Sequence, residues 1–290
     1  MLIKNQSNSL EHNVLYSKRG NSCLTKKGLR LTTLIMGAKC IDDVVLVGDR
    51  KVTGGFGDTY IDKIRRCSNA NWAVFGAAGI ETLYSEFLTI LPQKIEEHSR
   101  RIQYQNQRLL NQHTQEFMNN PDATKPPLNA YYTEDFKQDC VELLTEIRNR
   151  YAVAFVDPLC SLDVLMGLAV ENEPSRLYYL NSTHCLPVEV NQVLAIGQSD
   201  LAEVFRKCWN REMTMEQTAK LGMLAIKYIE QEGISDGIGV GKYQPQVWYV
   251  PNATNALPKE LLSDELSVMV NDVDSKVAVL HTQMHSLFMS

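Results

Sequence analysis

The chain has 290 residues, 44% of them hydrophobic and 22% charged, enough apolar material for one large core or two smaller ones without a staple. The net charge of −5 and the lack of Lys/Arg clusters interleaved with aromatics argue against a nucleic-acid partner. The longest apolar runs fall far short of the ~20 residues of a membrane span, and no apolar h-region follows the early basic residues, so neither membrane insertion nor secretion is expected.

Residues 1–31 carry six basic side chains (Lys4, Lys18, Arg19, Lys26, Lys27, Arg30) against Glu11 alone, so this segment is +5 and the remainder −10. Rich in Asn, Ser and Lys and poor in apolar periodicity, residues 1–32 read as a leader: a propeptide, a docking arm or a solvated tail. "LIMGAK" and "VVLVGD", joined by the short acidic turn "IDD", predict a hairpin. "DKIRRC" and "WAVFGA", separated by Ser68–Asn71, predict a second, so residues 33–78 read as a four-strand meander. Leu83, Phe87 and Ile90 recur at helical spacing until Pro92 interrupts the run.

Residues 94–133 form a long polar insertion, Gln/Asn-rich and then Pro-rich, read as a solvated helix followed by an irregular excursion. Phe136, Cys140, Leu143 and Ile147 predict a second helix antiparallel to the first. A further block of strands follows in "LDVLMGLAV", "SRLYYLN" and "VEVNQVLAIG". Leu201, Val204, Phe205 and Cys208 mark a third helix. "TMEQ" at Thr214–Gln217 is a capping box opening a fourth, with Leu221, Leu224 and Tyr228 expected on its buried face. "PQVWYVP" is the last sheet strand. Helix pairs covering the two faces of a sheet stack make an α+β, four-layer αββα domain over residues 33–250. A C-terminal tail, residues 251–290, follows, where Leu261, Leu262, Leu266 and Val270 suggest a docking helix.

Seven cysteines and six histidines show no metal or triad spacing, so no metal and no cofactor is expected, and the free thiols suit a reducing cytoplasm. A tight hairpin over 33–50 sets the start of its first strand beside the end of its second, so the Thr33 hydroxyl and the Asp49 carboxylate approach each other, within reach of Lys63. A threonine hydroxyl is a poor nucleophile until a base takes its proton, and a lysine beside a carboxylate lowers that barrier. A free α-amine on the same threonine, with an unperturbed pKa of about 7.7–8.0, is a better base, and it requires removal of residues 1–32.

Across roughly residues 32–92 and 160–250 the chain resembles the proteasome β-subunit family and its bacterial HslV-type relative, which are N-terminal nucleophile hydrolases. "TLIMGAKCIDDVVLVGD" resembles the hairpin that opens on the nucleophilic threonine, and ungapped counting from Asp49 selects Thr33 over Thr32. "DKIRR" resembles the strand of the catalytic lysine, giving Lys63. "VFGAAG" is similar to the segment that supplies an oxyanion N–H, giving Gly76 with Gly79 as the alternative. Asp236 stands for the aspartate supporting the threonine amine, and Thr53 for the threonine that binds the substrate backbone.

The resemblance implies a threonine-type endopeptidase acting on peptides or unfolded proteins within a homo- or hetero-oligomer. The alternative is a non-catalytic structural subunit of a proteasome-like assembly. A peptide ligase or amidase on the same fold is a third reading. Three positions depart from the pattern: Thr32 replaces the glycine before the nucleophile, and Gln198 and Gly239 replace two supporting serines. Each singled-out residue also has a purely structural role open to it, such as Asp49 ending a hairpin or Gly76 admitting close packing.

Overall fold

A computed structural model describes residues 33–41, 43–54, 57–79, 81–120, 124–128, 133–151, 162–169, 173–181, 187–252 and 256–289. The expectations for residues 1–32 lie outside this set.

The first hairpin forms as expected from β1 (Leu34–Lys39) and β2 (Val44–Gly48). Every residue of both strands is buried, because both faces are covered. Leu34, Met36, Ala38, Val45 and Val47 pack in a core shared with helices, while Ile35, Val44 and Leu46 pack against a second sheet. A strand covered on two sides needs no polar face, which explains its near-continuous apolar run.

The expected four-strand meander is corrected. Among the described residues, 51–79 supply four further strands: β3 (Lys51–Gly54) and β4 (Gly57–Tyr60) pair there only with each other, while β5 (Ile64–Cys67) and β6 (Ala70–Gly79) open the second sheet. β3 and β4, with Lys51, Thr53, Asp58 and Thr59, are too polar for strands buried on two faces, and they form a two-stranded ribbon apart from both five-stranded sheets. The later strand block is divided as well. β7 (Leu162–Leu168), β8 (Arg176–Asn181) and β9 (Val188–Glu189) extend the second sheet, and β10 (Val193–Gly197) returns to pair with β1. With β11 (Gln246–Val250) and β12 (Lys259–Glu260), the sheets run β10-β1-β2-β11-β12 and β5-β6-β7-β8-β9, all neighbours antiparallel.

Helix α1 (Glu81–Asn119) continues through Pro92 instead of stopping there. Proline forfeits one intrahelical hydrogen bond. Leu91 and Ile95, buried on either side of it, hold the helix on the second sheet. The helix runs on without a break past residue 94, so the polar insertion begins as its exposed continuation, and residues 124–128 have no regular structure. Helix α2 (Thr133–Arg150) lies antiparallel to α1: His98 meets Asp139, Lys94 meets Glu146, and Glu86 meets Arg150. Phe136, Cys140, Leu143 and Ile147 are fully buried as expected, and Phe136, Leu143 and Ile147 each contribute about 1.5–3 kcal/mol by leaving water.

A 3₁₀ turn (Ser199–Ala202) leads into the short α3 (Glu203–Cys208), on which Phe205 is buried but Cys208 is exposed, against expectation. Helix α4 (Met215–Gln231) opens on the expected capping box, Gln217 N–H donating to the Thr214 hydroxyl at 3.2 Å and Thr214 N–H to the Gln217 side chain at 2.9 Å. Its buried face is rotated from the expected one. Thr218, Ala219, Gly222, Met223, Ile226 and Ile229 lie at its centre, and Leu221, Leu224 and Tyr228 are half-buried. Close approach is the cause: a Cβ on Gly222 would lie 2.9 Å from Val47. Helix α5 (Ser263–Met289) packs beside α4, burying Leu266 and Val270 while Leu262 stays exposed. The four layers are therefore α1/α2, the second sheet, the first sheet, and α4/α5.

Candidate active site

Thr33 stands immediately before β1 and Asp49 immediately after β2. The antiparallel register, with Ile35 opposite Gly48, carries the next pair into mutual contact: Asp49 N–H donates to the Leu34 carbonyl at 3.1 Å, and Leu34 N–H donates to Asp49 Oδ1 at 2.8 Å. Asp49 Oδ2 accepts from Lys51 N–H at 3.1 Å. Lys63, the residue immediately before β5, reaches across from the second sheet. Its ammonium donates to Asp49 Oδ1 and Oδ2 at 2.9 and 2.8 Å and also to the Lys51 carbonyl. Thr33, Asp49 and Lys63 are 7%, 0% and 3% exposed. The hairpin and the sheet stack thus bring the carboxylate and the ammonium to one buried locus, fastened to Leu34 N–H next along the chain from the buried Thr33.

Burial sets the electrostatics. It penalises the charged form of both partners, pushing the Asp49 carboxyl up to about 6, against the pull of Lys63 and of the Leu34 and Gly239 N–H groups. The same burial lowers the Lys63 ammonium, with Asp49 opposing. A lysine held this way gives up a proton more readily than one in water and supplies positive charge where little water screens it.

Two backbone features close around Thr33. Gln198 N–H donates to the Thr33 carbonyl at 2.9 Å, and Gly197 sits at φ +85° with the place of a Cβ only 1.9 Å from that oxygen. A side chain at 197 would displace the threonine. Gly197 and Ser199 also belong to the wall of a groove of about 680 Å³ between the free edges of the two sheets, where Asp163, Tyr179 and Glu189 supply polar groups. Tyr179 donates to Asp163 at 2.8 Å, and burial first, with Asp163 second, raises its phenol to about 12.

Gly76 is placed differently from expectation. It lies in the middle of β6, opposite Ile64 on one side and Leu165 on the other. Ala77 N–H points to the Lys63 carbonyl at 3.3 Å, so alternation turns the Gly76 N–H toward β7 and into the ladder. Its lack of a Cβ serves packing, since one would stand 2.9 Å from Ile35. Gly79, at φ 137°, ends β6 with its N–H turned out of that ladder, past the start of β5. Asp236 is exposed, on the turn after α4; it lies close enough to Lys51 to help hold that ammonium charged, behind the dominant Asp58 contact. Thr53 falls on β3 opposite Asp58, and its side chain lies outside the described residues.

Two further residues have no sequence signal. Glu230 Oε1 accepts from Val240 and Gly241 N–H, both at 2.9 Å, and a Cβ on Gly239 would stand 2.6 Å from that oxygen. Gly239 in turn accepts from Arg50 and Lys51 N–H at 3.1 and 3.0 Å. Gln246, 1% exposed, reaches from β11 to β5. Among the described residues no group of three His, Cys, Asp or Glu is placed to hold a metal, and no helix is long and apolar enough to cross a membrane.

No protein-family model and no curated protein matches the chain. Solved structures do. It is similar to Anbu (ancestral beta-subunit) from Yersinia bercovieri, at TM-score 0.59 and 13% identity over 89% of this chain and 97% of that one. It is also similar to an Anbu (Gly-1) mutant from Hyphomicrobium sp. strain MC1, at TM-score 0.57 and 12% identity over 87% and 96%. The αββα arrangement of sheets and helices matches the fold of these Anbu structures.

Proposed function

We propose that the chain is a threonine-type N-terminal nucleophile hydrolase that cleaves peptide bonds after losing residues 1–32. The observation that carries this reading is the buried Asp49–Lys63 pair fastened to Leu34 N–H, the residue next to Thr33. With the leader removed, the Thr33 α-amine takes the hydroxyl proton while Oγ1 bonds to the substrate carbonyl carbon. Lys63 favours the developing alkoxide, and Asp49 holds Lys63. The negative charge on the carbonyl oxygen is received by a backbone N–H. We assign that donor to Gly79, because the Gly76 N–H is turned into the ladder. Collapse breaks the C–N bond, the leaving amine takes the proton from the α-ammonium, and water hydrolyses the Thr33 ester. Asp236 supports the threonine amine and Thr53 the substrate backbone in this proposal. The substrate is a peptide or unfolded protein, and the working form is an oligomer.

A second reading, a non-catalytic structural subunit, is favoured by Gly239. Where the resemblance calls for a supporting hydroxyl, the Glu230 carboxylate fills the space. Intact mass and labelling by a peptide vinyl sulfone separate the two. The catalytic reading expects loss of residues 1–32 and labelling at Thr33, abolished in Thr33→Ala and retained in Thr32→Ala wherever processing still occurs. Labelling that persists in Thr33→Ala sinks the nucleophile. An intact leader with no labelling leaves the structural subunit.

A further inference from the structure

We propose that Gln246 is a positioning residue whose carboxamide fixes Lys63 against Asp49 by holding the peptide groups of Ile64. This rests on the catalytic reading of Thr33, Asp49 and Lys63. β5 is an edge strand, and the Lys63 carbonyl faces β6, where Ala77 N–H approaches at 3.3 Å. Alternation therefore turns both backbone groups of Ile64 away from β6, toward an edge that pairs with no strand among the described residues. Gln246 fills that edge: Ile64 N–H donates to Oε1 at 2.8 Å, and Nε2 donates to the Ile64 carbonyl at 2.7 Å. The carboxamide thus acts as one peptide unit of a missing neighbour strand.

Its own backbone lies in the other sheet, opposite Gly48, the residue before Asp49. One side chain therefore ties the strand that delivers Asp49 to the strand that delivers Lys63. These are the partners whose separation sets how the buried ammonium and carboxylate share charge. Ile64 is 1% exposed, so without the carboxamide its N–H and carbonyl would have no water to turn to, and β5 would shift to find partners. A shift of β5 carries Lys63 with it.

The test uses the full chain with Gln246→Met, which keeps volume and removes both hydrogen bonds, and Gln246→Glu. Leu143→Ala, in the separate core between α1/α2 and the second sheet, is the control for general destabilisation. The first readout needs no activity: the Asp49 carboxyl is titrated by NMR of 13Cγ-labelled aspartate, with Asp49→Asn as the assignment. Gln246→Met should raise the midpoint by half a pH unit or more, because the carboxyl loses the ammonium that holds it down, and Leu143→Ala should leave it in place. An unmoved midpoint in Gln246→Met overturns the proposal whether or not the chain is active.

The second readout is the vinyl sulfone labelling rate per folded chain. Gln246→Met should label at least 10-fold more slowly than the parent. Gln246→Glu should match the parent at acid pH, where a neutral carboxyl both donates and accepts, and fall behind as it ionises and loses its donor. A labelled parent with an equally fast Gln246→Met overturns the positioning role alone. An unlabelled parent overturns the catalytic reading, and the Asp49 titration then decides whether Gln246 positions the pair.

Discussion

Replacing Lys63 by Met keeps most of the side-chain volume and deletes the ammonium from a site where Asp49 is fully buried. Breaking a buried pair by removing one partner costs up to about 3–5 kcal/mol when the remaining charge has no escape. Asp49 has one, because it can protonate. With Lys63 present its carboxyl lies at about 6 against an ordinary 3.8, and without Lys63 it rises further. A group held above its unfolded value contributes stability that is complete below the unfolded pKa and is lost as pH rises through the folded one. The parent therefore stops losing Asp49-linked stability near pH 6, whereas Lys63→Met goes on losing about 1.4 kcal/mol per pH unit up to its higher midpoint. The Asp49-linked gap between them should be near zero at pH 5 and grow to the order of 1–3 kcal/mol between pH 7 and 8. Urea unfolding of both chains at pH 5, 7 and 8 measures this. Under the catalytic reading the variant also loses leader removal and peptide hydrolysis by about 10²-fold or more. A stability penalty equal at pH 5 and pH 8 would refute the coupling of Lys63 to Asp49.

Gly197→Ala should destabilise by more than about 2 kcal/mol, since it combines positive φ with a Cβ 1.9 Å from the Thr33 carbonyl, and labelling of Thr33 should fall with it. Gly239→Ala and Glu230→Ala should each cost about 1–2 kcal/mol, but the double variant less than their sum, because removing the carboxylate clears the space for the new methyl; strict additivity in urea melts would reject the steric coupling. Light scattering at micromolar concentration should find an oligomer, and a clean monomer would argue for a stand-alone enzyme.

The local vocabulary of the chain is readable along the sequence. The β1–β2 hairpin, the Thr214–Gln217 capping box and the buried face of α2 follow from turn chemistry, side-chain oxygens near their own backbone, and apolar spacing, all acting within a few residues. Asp49 is legible for the same reason, since a hairpin fixes which residues stand opposite each other. Strand partners beyond the hairpin are a different matter. β10 follows β9 closely in sequence yet joins β1 in the other sheet, and β5 sits an ion pair away from β2 without pairing to it. Side-chain periodicity is the same in either sheet of a stack buried on both faces, so it carries no information about which sheet a strand enters. Gln246 reads as an unremarkable strand residue because its partner Ile64 lies 182 positions away, and Glu230 meets its turn only where α4 ends over it. Gly76 and Gly79 look alike in "VFGAAG"; only the alternation of N–H directions between β5 and β7 turns one into the ladder and the other out of it.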